Sequence, residues 1–205
     1  MTQFINTGVY DKNRPFYTTV SPSMDILVSS NLERLLFELS GKESGTVASY
    51  MKALSTEGKF TIPDSMHEEL NRLFQSGYCS EEDTMKSIKK VFEGSGYLID
   101  THTAVAYKVL NDYRAATGDD RVSVVVSTAS PFKFCEAVLE ALGKSCEKEG
   151  ESTAGGAMLI ETLSEATGSA IPAPLLDLKT AVSRFNDTVK IPAMKAAVIE
   201  FIRGR

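Results

Sequence analysis

Imidazoles and thiols are scarce in this 205-residue chain, which has two histidines and three cysteines. His67 and His102 are too few to build a multi-histidine metal centre. Cys79, Cys135 and Cys146 are odd in number, widely spaced and without a Cys-x-x-Cys pair, which argues against a disulfide framework or a structural zinc site. Reduced thiols in the cytoplasm are the expectation. No apolar run approaches the roughly 20 residues that cross a bilayer, and the opening Met1-Thr-Gln-Phe-Ile-Asn6 lacks the charged and apolar regions of a secretory signal. Excess positive charge is missing as well. A formal net charge of −5 and a pI near 5.2 provide no basic surface for phosphodiester backbones or anionic lipid, so neither nucleic acid nor membrane is an expected partner.

What is present is ordinary globular material, 42% hydrophobic and 24% charged, which excludes a disordered chain. Apolar residues at helical spacing predict helices over 31–40 (Leu32, Leu35, Leu36, Leu39) and 45–57 (Val47, Tyr50, Met51, Leu54). Ser65-x-x-Glu68 reads as a capping box opening a helix through Phe74. Ser80-Glu-Glu-Asp83 is another helix start, with acidic residues where the dipole favours them. Turns are expected at Ser76-Gly-Tyr78 and Gly94-Ser-Gly-Tyr97. The clearest strand is Val122-Ser-Val-Val-Val126, whose nearly continuous valine suits a parallel strand covered on both faces. Helices over 102–116, capped by Thr101, and 131–142 would flank it. From about 151 the pattern is helical, over 153–167, 175–189 and 191–203, with Ile171-Pro-Ala-Pro174 as the linker candidate.

Three places could carry chemistry. In Ser21-Pro-Ser-Met-Asp-Ile-Leu-Val-Ser-Ser-Asn-Leu-Glu-Arg34, hydroxyls, an amide and a guanidinium lie beside a helix start, and together they can surround a phosphate. The plainer reading is a polar loop in which Ser29 or Ser30 caps the helix, Glu33 completes a box from Ser30, and Arg34 pairs with Glu38. Ser127-Thr-Ala-Ser-Pro131 sits where the predicted strand ends, the place where ligands bind in open α/β sheets. Its Ser130 also suits an N-cap before Pro131. Asp100-Thr-His-Thr-Ala104 contains an imidazole that could act in acid–base chemistry or simply shape a wall.

The runs Asn6-Thr-Gly-Val-Tyr-Asp11, Pro22-Ser-Met-Asp-Ile26, Ser29-Ser-Asn-Leu-Glu-Arg34, Asp100-Thr-His-Thr-Ala-Val105 and Ser127-Thr-Ala-Ser-Pro-Phe-Lys-Phe134 resemble, in order and separation, the later part of bacterial and fungal threonine synthase. The resemblance covers roughly residues 1–145. It implies an α/β fold, a helix-rich three-layer domain with a short parallel sheet, as part of a tryptophan-synthase-like pyridoxal-phosphate enzyme. Residues 1–150 would form the α/β portion and 151–205 a helical tail packing on it. The implied reaction converts O-phospho-L-homoserine and water to L-threonine and phosphate. The resemblance places Ser29, Ser30, Asn31 and Arg34 on the substrate phosphate, Thr128 or Ser127 at the cofactor's pyridine nitrogen, and His102 and Thr103 in the site wall.

The family's Schiff-base lysine, in a Phe-Lys-Asp type motif, and its glycine-rich cofactor loop have no match in this sequence. Lys133 lies in a different motif. These 205 residues are therefore expected to be a carboxyl-terminal portion, inactive alone, whose partner is the amino-terminal portion and whose exposed apolar surface could support a dimer. The competing expectations are a non-catalytic phosphate-binding or regulatory module, and a related lyase acting on another phosphorylated or hydroxylated amino acid.

Overall fold

Four aromatic rings organise the amino-terminal elements in the computed structural model, which describes residues 1–144, 153–178, 180–182 and 186–204. Helix α1 (Thr2–Thr7) ends at Gly8, whose φ of 71° is the left-handed closure that lets its N–H reach Phe4 O. Strand β1 (Val9–Asp11) follows and pairs antiparallel with β2 (Lys59–Thr61), setting Tyr10 opposite Phe60. Those two rings stack with centroids 5.5 Å apart, and Phe4 meets both edge-on. Tyr50 of α3 (Ser44–Thr56) stacks on Phe60 at 5.1 Å. Around the rings pack Leu32 and Leu36 of α2 (Leu32–Leu39), Leu54 of α3, and Met66 and Leu70 of α4 (Asp64–Leu73).

The helices that follow pack in sequence. Helix α5 (Glu81–Ser95) opens on Ser80, whose hydroxyl oxygen accepts the Asp83 N–H at 3.1 Å. It lies against α6 (Thr101–Thr117) and α7 (Cys135–Ala141), and α7 lies against α8 (Thr153–Thr167). Ile88, Val138, Leu139 and Leu163 are fully buried. These elements belong to one compact unit, Met1–Ser169. A second unit, Ala170–Arg205, begins beside the Ile171-Pro-Ala-Pro174 run and holds α9 (Ala173–Asp177), a 3-10 turn at Ile191–Ala193 and α10 (Met194–Arg203). No helix among the described residues is long and apolar enough to cross a membrane.

The chain is helix-rich with a small sheet, in keeping with the α/β class. However, the sheet among the described residues is the two-stranded antiparallel pair of β1 and β2, which three-residue strands made invisible to periodicity. The valine run 122–126 belongs to no strand. Val122, Val124 and Val126 are 98%, 84% and 69% exposed, so this segment has neither the ladder partner nor the two-sided cover that its composition suits.

Other helix boundaries differ from those expected because the capping chemistry falls elsewhere. Asn31 precedes α2 in helical conformation without a side-chain cap, so neither Ser29 nor Ser30 closes the predicted box. Helix α4 starts at Asp64 after Pro63. Asp100, not Thr101, caps α6. The 131–142 helix is a 3-10 turn, Pro131–Lys133, followed by α7. Of the predicted 175–189 helix only α9 forms among the described residues, and residues 179 and 183–185 lie outside them. Cys146 is likewise outside the described residues.

Leu36 is 0% exposed at the centre of the aromatic cluster, and its helix carries Arg34. Leu36→Ala is expected to lower unfolding free energy by about 2–5 kcal/mol through lost burial and a residual cavity. Urea denaturation checks this, and a loss below about 1 kcal/mol would mean that the site collapses around the truncation.

Candidate functional site

The segment leading into α2 is held from several sides. Thr19 donates its N–H and hydroxyl to the two oxygens of Asp25, at 2.7 and 2.8 Å, closing a loop around the 3-10 turn Pro22–Met24. The Val20 N–H donates to Glu81 Oε2 at 3.0 Å, fastening the loop to the first turn of α5. Tyr10, anchored in the aromatic cluster, donates its hydroxyl to Leu27 O at 3.1 Å and accepts the Ser29 N–H at 2.8 Å. The core thus fixes the backbone from which the candidate anion ligands project.

Ser29 is half-buried, while Ser30, Asn31 and Arg34 are exposed. Arg34 Nη2 donates to Asn31 Oδ1 at 2.6 Å. The expected ion pair with Glu38 is not formed, because Glu38 faces Lys42 at 3.9 Å. Asn31 and Arg34 are therefore oriented together across one turn of helix. Arg34 also lines an open groove of about 620 Å³ between α2 and α3, with Phe37, Val47 and Met51 among its walls.

The second cluster centres on Asp100, a fully buried carboxyl at the start of α6. Its Oδ1 accepts the His102 N–H at 2.9 Å, the Thr103 N–H at 3.4 Å and His102 Nδ1 at 3.1 Å. Its Oδ2 accepts the Thr103 hydroxyl. The other ring nitrogen, His102 Nε2, accepts the Ser23 N–H at 3.2 Å. These partners define a neutral imidazole with its proton on Nδ1. Phe134 covers the ring, the centroids being 4.8 Å apart. Both nitrogens are engaged, so His102 stands in this structure as a brace between α6 and the Pro22–Met24 turn.

Thr103 carries the connection onward. Its Oγ1 lies 3.2 Å from Ser127 Oγ, and because its single proton is given to Asp100, the Ser127 hydroxyl is the donor in that pair. The residues before Ser127 are tied to the other end of α6. Arg114 Nη2 donates to Arg121 O at 2.7 Å and to Ser123 Oγ at 3.1 Å. From Thr103 to Arg114 the helix rises about 16 Å, and four extended residues from Ser123 to Ser127 reach about 14 Å. The valine segment is therefore stretched along α6. Thr128 is exposed beside Ser127. Ser130 accepts the Phe132 N–H at 3.3 Å and so caps the Pro131–Lys133 turn.

The structure thus brings Ser127, Thr103 and His102 into one hydrogen-bonded chain that reaches Ser23, six residues before Ser29. Thr128 follows Ser127 directly and Arg34 lies farther on, inside α2, and among the described residues neither bonds to this chain. Asp100 and Tyr10 were not singled out from the sequence as site-building residues. The signal for Asp100 was available, since an Asp before Thr-His-Thr is a strong N-cap pattern. Tyr10 carried no such signal.

Two outcomes follow from these contacts. Tyr10→Phe should cost about 0.5–1.5 kcal/mol, as expected for a lost hydrogen bond, and should shift the Ser29 amide resonance. Thermal melts and amide spectra check it, and an unmoved Ser29 would sever the core from the loop. Near the start of the valine segment, the Arg121 guanidinium beside Asp119 holds that carboxyl well below the usual carboxylate range. A depressed native value adds stability that is present above the unfolded value near 3.9 and is lost as pH falls through the native one. The Arg121 amide, which donates to Asp119 at 3.1 Å, should therefore keep its neutral-pH position down to about pH 3.9. A titration midpoint at or above that value contradicts the contact.

Comparison with known proteins gives this geometry a context. Residues 103–202 match the family model described as "Threonine synthase, C-terminal". A threonine synthase from Pseudomonas aeruginosa is 39% identical over 139 residues, which cover 68% of this chain and 29% of that protein. Among solved structures, the pyridoxal-phosphate-bound threonine synthase from Brucella melitensis matches with a TM-score of 0.61 and 32% identity, over 78% of this chain and 33% of that one. Threonine synthase from yeast matches with a TM-score of 0.77 and 28% identity, over all of this chain and 40% of that one. The chain spans about a third of the length of the relatives it matches. By sequence and by fold, it is homologous to the carboxyl-terminal part of threonine synthases.

Proposed function

We propose that this chain supplies two sides of a threonine synthase active site, the substrate-phosphate side and the pyridine-nitrogen side. The observation that supports the reading best is the chain Ser127–Thr103–Asp100–His102–Ser23, which ties Ser127, assigned to the cofactor by family resemblance, to the loop that leads into the segment assigned to the substrate phosphate. The overall reaction is conversion of O-phospho-L-homoserine and water to L-threonine and phosphate, carried out in the cytoplasm.

Arg34, a planar fork of donors, pairs with two phosphate oxygens at once, and Asn31 already orients it. Ser29 and Ser30 complete the grip with hydroxyl donors. Pyridoxal phosphate, when bound, supplies an electron-withdrawing ring that spreads carbanionic charge from the substrate. The residues present suit its ring edge. A neutral hydroxyl does not force the pyridine nitrogen to be protonated, and with the Ser127 proton given to Thr103, the Thr128 hydroxyl is the one placed to donate. His102 and Thr103 hold the wall. The lysine that carries the cofactor is supplied by further polypeptide, for which the exposed valine segment stretched along α6 is a suitable packing surface.

Incubated alone with O-phosphohomoserine and pyridoxal phosphate, the chain should release no phosphate above background, and clear turnover would overturn the divided-site reading. Exchanged for the matching part of the Pseudomonas aeruginosa relative, it should give an active chimera. Arg34→Ala in that chimera should raise KM about ten- to hundred-fold, the worth of a charge-assisted bidentate contact. Unchanged KM and kcat would remove Arg34 from the site.

A further inference from the structure

We propose that Asp100 is a positioning residue that sets Ser127 and the Pro22–Met24 turn in one register, reaching Ser127 through Thr103 on one carboxylate oxygen and Ser23 through His102 on the other. A carboxylate only accepts hydrogen bonds. Buried at the head of α6, it compels both of its side-chain neighbours to donate toward it. Thr103 thereby turns its lone pairs to Ser127, and His102 turns its unprotonated Nε2 to the Ser23 N–H. The direction of every proton in the chain follows from that one group.

A helix cap alone would not require this. Asn caps as well as Asp, since its side-chain oxygen accepts the same backbone N–H groups. What Asn cannot do is accept on both branches, because one of them becomes an NH₂ donor. Asp100→Asn therefore keeps the cap while reversing one arm of the chain.

The inference rests on the reading of residues 29–34 and 127–128 as two sides of one pocket, and the test separates the two claims. In the isotopically labelled chain, Asp100→Asn should preserve helix content and shift the Ser23, Ser127 and Thr128 amide resonances and the His102 ring-nitrogen resonances. A variant with Ser23, Ser127 and the His102 ring nitrogens all unmoved would reduce Asp100 to a cap and overturn the proposal. Should Asp100→Asn fail to fold, Thr103→Val must move Ser127 and His102→Gln must move Ser23, and the absence of either shift overturns it equally. Inorganic phosphate added to the unsubstituted chain tests the pocket reading by itself. Unmoved amides over 29–34 would defeat that reading and leave the Asp100 result standing.

Discussion

A carboxyl removed from water is costly unless its lone pairs are filled, and at Asp100 four donors fill them. That requirement shapes its surroundings. Two of the donors are backbone N–H groups that the first turn of α6 would otherwise leave unpaired, so the same contacts that satisfy the acid also start the helix. The other two belong to His102 and Thr103, whose remaining polar atoms then face outward to segments far away in sequence. A local capping interaction becomes a long-range tie in this way.

The aromatic cluster does a similar job at the other end of the site. Tyr10 stacks on Phe60 across the β1–β2 pair and sends its hydroxyl out of the core to hold the backbone at Leu27 and Ser29. Helix α2 is set by Leu32 and Leu36 in the same core. The anion-binding candidates thus project from a backbone fixed by burial, while Arg34 itself stays exposed and adjustable. Rigidity lies in the supports and freedom in the side chain that would meet a ligand.

Much of the helical framework was legible in the sequence because burial repeats with helical period in α2 and α3, and because Ser80 before three acids is a strong start signal for α5. Helix α8 coincides with the predicted 153–167. The valine run 122–126 was misread for a physical reason. Its composition reports an environment with cover on both faces, and among the described residues Val122, Val124 and Val126 stay exposed. Strands β1 and β2 escaped notice because three residues each give no period to detect. Among the candidate site residues, the motifs were visible as motifs, but their connection was not. Nothing in the spacing of Ser23, His102 and Ser127 reveals that one buried acid orders all three.

The relation to threonine synthases gives these ties a purpose. The relatives are about three times the length matched here, and on the proposed reading this chain holds its share of a pocket in shape through its own bonds. The most direct measurement of the central claim is the long-range proton–nitrogen spectrum of the His102 ring at neutral pH. The account predicts a protonated Nδ1 and an unprotonated Nε2, the pattern dictated by Asp100 on one side and the Ser23 N–H on the other. A proton on Nε2, or rapid averaging of the two forms, would contradict it.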